Sequence, residues 1–335
     1  MAYWRSRRVV GALGAVALAA WCLAASACGG GSGDGDGSSN DDPGDGDGSG
    51  DGGSSGRGGS GSNEPDGPGT GPGTGGPGTG GSNNSEGEIE VEPSAGCDGD
   101  PALTSGEHTI EVDGEERSFI VDVPSGYDEG TAYPLLFGFH GRGFSAAEFR
   151  SESYGDLLSV AGDDAIVVHP DALGEPEQAW DTESQSDVRF FDALLDELTE
   201  GLCVDEARVF AAGHSSGGYF INTLGCLRGD RLRAIAPVAG GGPFGDDDCM
   251  GPVSAWIAHA EDDETVLFRN GENTRDFWLE SNACDQSSFD DTSPEPCVAY
   301  EGCDSGLAVD WCVYDGGHDW PSFGARGIWN FFQQF

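Results

Sequence analysis

The chain has 335 residues, with 60 acidic side chains against 15 basic ones, all of them arginine, and a formal net charge of −45. That balance excludes nucleic acid and anionic lipid as partners of the folded face. An acidic surface otherwise bears on solubility more than on chemistry.

The first 28 residues read as an export segment. Arg5, Arg7 and Arg8 form a basic start, the apolar run VVGALGAVALAAWCLAA follows, and Ala25-Ser26-Ala27-Cys28-Gly29 closes it with small residues. The run is short for a permanent membrane helix and lacks a charged stop. The placement of Cys28 resembles a bacterial lipoprotein processing box, which makes Cys28 the candidate lipidation site. The expected location is therefore a lipid-anchored cell surface or outer membrane, with plain secretion as the alternative. The lipid is the only expected membrane contact.

Residues 29 to 93 are built from Gly, Ser, Asp, Pro and Thr, with GPGT repeats near 67 to 80. Between 29 and 87 there is no large apolar side chain to offset the entropy of ordering. This stretch is expected to be a disordered tether, reaching about 40–50 Å at roughly 5–6 Å × √n. Residues 94 to 335 hold nearly all the aromatics and are long enough for one domain with a sizeable core.

In that domain the elements come in order. HTIEVDG and RSFIVDVP bracket Asp113-Gly114, a hairpin turn signal. Apolar runs of buried-strand length follow: YPLLFGF (133–139), AIVVHP (165–170), RVFAA (208–212), RAIAPVAG (233–240), VSAWIAH (253–259) and VDWCVYD (309–315). They are near-continuous rather than alternating, as expected of a sheet covered on both faces. The clearest helix is DVRFFDALLDEL, where Val188, Phe191, Leu194, Leu195 and Leu198 share one face. Antiparallel strands followed by alternating strands and helices predict an α/β domain with a mostly parallel sheet and helices on both faces.

Two stretches fit G-x-S-x-G. Gly52-Gly53-Ser54-Ser55-Gly56 lies in the tether with no strand before it and no helix after it. Gly213-His214-Ser215-Ser216-Gly217 follows the strand RVFAA and precedes YFINTLGCL, a helical pattern. That context is the one a nucleophile elbow needs, where a tight turn presents a serine at the carboxyl end of the sheet beside a helix amino terminus. Ser215 is therefore the candidate nucleophile. The rival reading is an ordinary Gly-rich turn.

A serine needs a base, and the base needs an acid to hold its tautomer. Only His259 and His318 follow Ser215. His259 ends a core strand, where a structural histidine is expected, whereas His318 lies in the loop YDGGHDWP after the last strand. His318 is the candidate base. The acid should follow VSAWIAHA, but Glu261, Asp262, Asp263 and Glu264 all compete there and spacing does not choose among them. For the oxyanion, the backbone N–H groups of Ser216 and of Arg142, in the loop His140-Gly141-Arg142-Gly143, are the candidates.

FGFHGRG, HPDA…W, CVDEARVFAAGHSSGGYF, HAEDDETV, CVAYEGCDSG and VDWCVYDGGHDWP, in this order, resemble secreted feruloyl esterases, with the polyhydroxybutyrate-depolymerase-like esterases of carbohydrate esterase family 1. The resemblance runs from about Cys97 to the last residue. It implies an α/β-hydrolase fold and acyl transfer through an acyl-enzyme, with no metal or cofactor required. Aligning HAEDDETV with the family's H-G-x-x-D-x-x-V carries the acid to Asp263, with Val266 in register. Two departures stand out: Ala260 replaces a glycine, and HGRGFS stands where relatives show HGCGGS or HWLGGT. The resemblance also places Trp180 on the loop after the fourth strand, as a candidate for stacking on the substrate. His140 and His214, beside the oxyanion loop and the nucleophile, are counted with it as substrate contacts.

The expected substrate is a polysaccharide-linked hydroxycinnamate ester, cleaved by a monomer. Two rivals stand beside it: a polyhydroxybutyrate depolymerase or a short-acyl or acetylxylan esterase, and a non-catalytic surface binding protein that kept the fold.

Eight cysteines remain after Cys22 and Cys28 are set aside, an even number that predicts disulfides in an exported domain. Pairing Cys297 with Cys312 gives a consistent strand register and leaves Cys284 with Cys303. Cys203 with Cys226 would tie the ends of the elbow unit, and Cys97 with Cys249 follows by elimination. Other pairings within each four remain open.

Overall fold

The hairpin at Asp113-Gly114 is the first expectation the structure bears on. In the computed structural model, β1 (Gly106–Val112) and β2 (Glu115–Asp122) pair antiparallel with Val112 opposite Glu115. The two turn residues have φ of 55° and 84°, as a two-residue hairpin turn requires. The structure describes residues 91–97, 99–151, 156–173, 179–243 and 249–335. The expected export segment, Cys28 and almost all of the expected tether lie outside them.

Six further strands form the parallel centre: β3 (Tyr133–Phe139), β4 (Ile166–Pro170), β5 (Val204–His214), β6 (Ala234–Val238), β7 (Ser254–Ala260) and β10 (Val309–Tyr314). With the edge strands β9 (Cys297–Tyr300) and β8 (Phe289–Asp291), the sheet order is β1-β2-β4-β3-β5-β6-β7-β10-β9-β8. Every residue of β4, β6 and β7 is buried, which is why those runs carry no alternation.

One face of the sheet is covered by α3 (Ser186–Gly201), α4 (Ser216–Leu227) and α5 (Phe268–Ser281), whose Leu194, Ile221 and Trp278 join Leu135 and Phe137 in one core. The other is covered by α1 (Ala146–Arg150), α2 (Leu157–Ala161) and α6 (Gly324–Phe332), whose Phe149, Leu157 and Ile328 pack with Leu136 and Val167. All five residues predicted for the apolar face of α3 are buried. Among the described residues, no helix is long and apolar enough to cross a membrane.

Packing against the sheet begins at Glu92. Its N–H donates to Asp205 Oδ1 at 2.9 Å, Glu206 N donates to its carbonyl, and Pro93 bridges Asp205. This segment corrects two of the expected disulfides. Ser94 N donates to Val204 O and Gly96 N to Thr199 O, so Cys97 is laid beside Cys203, and those two are bonded. Cys226, at the end of α4, receives the N–H of Met250 on its carbonyl at 2.7 Å, which brings Cys249 to it as partner. The pairs Cys203–Cys226 and Cys97–Cys249 therefore do not form. Cys284–Cys303 and Cys297–Cys312 do, and Cys297 stands opposite Cys312 in the β9–β10 ladder.

Candidate active site

β5 ends at His214 and α4 starts at Ser216, leaving Ser215 alone to turn the chain. Its φ of 53° and ψ of −115° lie in a region that a side-chain-bearing residue adopts only where the surroundings force it. The neighbours force it. A Cβ at Gly217 would sit 2.1 Å from the carbonyl oxygen of Phe139, so only glycine lets the start of α4 lie against the end of β3. Ser215 N donates to Val238 O at 3.0 Å, and Tyr219 N to Ser215 O at 2.9 Å, pinning both sides of the turn.

His318 arrives from the loop after β10. Its Nε2 is 2.8 Å from Ser215 Oγ, and its Nδ1 is 2.7 Å from Asp263 Oδ2. Asp263 can only accept, so Nδ1 carries the proton and Nε2 is left as the acceptor for the serine hydroxyl. Asp263 sits in the turn after β7, its side chain fully buried. Burial opposes its charge, but the hydrogen bonds from His318, Val266 N (2.9 Å) and Thr265 N (2.8 Å) outweigh it and hold the carboxyl below the usual range.

The four competing carboxylates thus separate by role. Asp263 reaches His318. Asp262 turns the other way and accepts the N–H groups of Gly316 (3.0 Å) and Gly317 (2.8 Å), the residues just before His318. Glu261 and Glu264 are exposed. His259 does not line the cavity above Ser215: it is fully buried, its Nε2 donates to Val266 O at 2.7 Å and lies 3.5 Å from Asp263 Oδ2.

A cavity of about 970 Å³ opens above Ser215. Its walls include Ser215, His318, His214, and both residues expected to supply oxyanion donors, Ser216 and Arg142. Ser216 is the first residue of α4, where the helix leaves backbone N–H groups unspent. A Cβ at Gly141 would lie 3.5 Å from Ser215 Cβ, so the Gly141–Arg142 segment runs close against the nucleophile. The loop is fixed from behind, where Trp180 Nε1 donates to His140 O at 2.8 Å.

The expected substrate contacts divide. His140 lies behind the oxyanion loop, not in the cavity: it is fully buried, Nδ1 donates to Gly141 O at 2.8 Å and Nε2 accepts from Ala172 N at 3.1 Å. With both nitrogens engaged it shapes the loop and has nothing left for a substrate. Trp180 borders the cavity but is 6 % exposed, stacked on Phe220 with ring centroids 5.1 Å apart. It is a wall, not the stacking platform expected of it. His214 does line the cavity, 5.1 Å from the His318 ring by centroids, and burial pushes its pKa down to about 3, so it stays neutral.

Tyr219, Thr182, Thr265 and Asp319 also line the cavity and had not been singled out. Tyr219 was within reach of the sequence, because four residues after the nucleophile is one helical turn along the same face. Thr182 was not, since a long loop brings it there.

Comparison with known proteins gives the family. Residues 135–330 match the model of the alpha/beta hydrolase family. Feruloyl esterase D of Neurospora crassa is 31% identical over 268 residues, covering 72% of this chain and 91% of its own. Feruloyl esterase C of Emericella nidulans is 28% identical, covering 71% and 90%. Acetyl xylan esterase from Aspergillus awamori superposes with a TM-score of 0.53 at 14% identity, covering 68% of this chain and 99% of that one, a likeness of fold. Sheet order, elbow and matched relatives agree: the chain is a feruloyl esterase-like member of the alpha/beta hydrolase family.

Proposed function

We propose that this protein is a serine carboxylic-ester hydrolase that releases hydroxycinnamate from plant cell-wall polysaccharide esters. The observation that carries the chemistry is the unbroken hydrogen-bond chain from Ser215 through His318 to Asp263 at the floor of an open cavity. The substrate class rests on the relatives named feruloyl esterase.

In this reading Ser215 Oγ attacks the ester carbonyl while His318 Nε2 takes its proton. Asp263 stabilises the imidazolium, and the N–H groups of Ser216 and Arg142 receive the oxyanion. The tetrahedral intermediate collapses as His318 passes the proton to the departing sugar oxygen, leaving feruloyl-Ser215. Water, deprotonated by His318, then releases the acid and restores the serine. Such a site uses neither metal nor cofactor.

We further propose export with a lipid on Cys28, the four disulfides being suited to an oxidising compartment. Replacing Cys28 by alanine should then release the protein into the medium, and unchanged membrane retention would sink the anchor.

The test of activity is hydrolysis of methyl ferulate, with Ser215→Ala as control and a 3-hydroxybutyrate oligomer in parallel. Ferulate release that falls about 10⁴–10⁶-fold in the variant supports the reading. Cleavage of the oligomer alone keeps the mechanism and discards the substrate. If neither ester turns over, nor a short-chain nitrophenyl ester, a non-catalytic binding role takes its place.

A further inference from the structure

An oxyanion hole needs two N–H groups aimed at one point, each about 2.7–3.1 Å from the oxygen that will carry the charge. Here the two candidates come from segments far apart in the chain: Ser216 begins α4, and Arg142 lies in the loop after β3. Trp180 is bonded to both segments. Its backbone N–H donates to Ser216 Oγ at 3.1 Å, and its indole Nε1–H donates to the carbonyl oxygen of His140 at 2.8 Å.

The indole is held too firmly to follow either segment if it shifts. It is stacked on Phe220 with ring centroids 5.1 Å apart, and Phe139 meets it edge-on at 5.0 Å. Phe139 ends β3 and Phe220 belongs to α4, so the side chain is wedged between the two elements that lead to the donors. The next residue is anchored as well. Asp181 N donates to Asp187 Oδ2 at 2.6 Å, and Asp187 is paired with Arg117, whose Nη2 donates to Asp171 O at 3.1 Å. Beside Asp171, Ala172 N donates to His140 Nε2 at 3.1 Å, and His140 Nδ1 donates to Gly141 O at 2.8 Å. These bonds make a circuit that starts and ends at His140, and the indole N–H closes it.

We propose that Trp180 is a positioning residue for the oxyanion hole, fixing the gap between the Ser216 and Arg142 N–H groups. The proposal rests on the esterase reading above but not on the identity of the acyl group. It gives the indole a role through the backbone it holds. A donor displaced by about an ångström forfeits stabilisation that only the transition state draws on, while ground-state binding is untouched.

The experiment uses the full chain and two variants, each breaking one of the two bonds. Trp180→Phe keeps an aromatic ring between Phe139 and Phe220 and removes the indole N–H. Ser216→Ala removes the acceptor of the Trp180 backbone N–H. Rates on methyl ferulate and nitrophenyl acetate are divided by the sites titrated with a nitrophenyl phosphonate, so misfolded protein is not counted. The second readout is affinity for a styrylboronic acid, whose boron binds Ser215 Oγ and becomes a tetrahedral anion while the hydroxyl proton passes to His318. The expected result in both variants is kcat lower by about 10- to 100-fold, KM within about twofold, and boronate affinity lower by about the same factor as kcat. A rise in KM with kcat retained would overturn the proposal, because that is the pattern of a residue that only shapes the cavity. If Trp180→Phe yields no titratable sites, Ser216→Ala decides alone. Variants that match an active wild type also overturn the positioning role and leave the esterase reading standing. If the wild type cleaves neither ester, both fail.

Discussion

Asp262 Oδ1 accepts the backbone N–H of Gly317 at 2.8 Å, so the carboxylate next to the proposed triad acid holds the loop that delivers the proposed base. Two adjacent aspartates thus serve one histidine, one through its ring and one through its backbone. The predicted consequence is a graded loss. Asp263→Ala should lower kcat about 10⁴-fold, because the ring loses its tautomer and its countercharge. Asp262→Ala should cost about 10- to 100-fold by letting His318 shift, and Asp262→Asn, which keeps an acceptor oxygen, should cost less. Steady-state rates of the three variants on methyl ferulate check this. Equal losses for both alanines would remove the distinction of roles.

The elbow makes a steric prediction. Gly217→Ala forces a Cβ to within 2.1 Å of a β3 carbonyl oxygen, a contact with backbone that cannot swing away. The cost should exceed the roughly 1–3 kcal/mol of ordinary overpacking, and activity should vanish even if some protein folds. Denaturant unfolding alongside the rate on methyl ferulate measures both.

How much of this was legible in the sequence follows from what each feature depends on. The strands β3, β4 and β7 were readable because burial on both faces leaves continuous apolar runs. The serine was readable once strand and helix context removed the Gly52–Gly56 decoy. Asp263 was not readable from spacing alone, because four carboxylates follow β7 and the choice is made by which one turns inward. His140 misled for a related reason: adjacency to the oxyanion loop says nothing about which side of the loop a ring occupies. The disulfide between Cys97 and Cys203 depended on the segment from Glu92 lying along β5, a long-range pairing with no local signature.

That bridge has its own expected effect. Cys97–Cys203 closes 106 residues, whereas Cys284–Cys303 closes 19. In the chain-entropy account the longer loop stabilises by about 4.7 kcal/mol and the shorter by about 3. Replacing Cys97 and Cys203 together by serine should therefore lower Tm more than the same change at Cys284 and Cys303. Calorimetry on the two double variants decides; the reverse order would mean native-state contacts, not loop closure, govern these bridges.

A buried ion pair behind the cavity wall carries another prediction. Arg117 and Asp187 meet at 2.7 Å with side chains 2% and 3% exposed, and Asp187 Oδ2 also accepts Asp181 N from the Trp180 loop at 2.6 Å. Asp187→Ala leaves Arg117 buried and unpaired, which should cost about 3–5 kcal/mol. Because the same change frees the Trp180 loop, KM for methyl ferulate should rise as well. Urea unfolding and steady-state kinetics test the two halves separately.

Asp310 supplies a pH dependence of opposite sign to that of the buried histidines. It lies on β10, 5% exposed, and burial pushes its carboxyl up to about 7. Between pH 4 and 7 the folded state holds a proton there that the unfolded chain has released, so stability falls as pH rises through that window. At pH 8 the full cost, up to about 4 kcal/mol, is present. His169 and His214, pushed down to about 4 and about 3 by burial, act the other way: the unfolded chain binds protons they refuse, so stability falls as pH drops below about 6.5. Asparagine resembles the protonated acid at all pH values. Asp310→Asn should therefore raise Tm at pH 8 and leave it nearly unchanged at pH 4, where the native side chain is already neutral. Thermal melts of both proteins across pH 4 to 8 read this directly, and a shift that did not vary with pH would show that Asp310 is charged in the fold throughout.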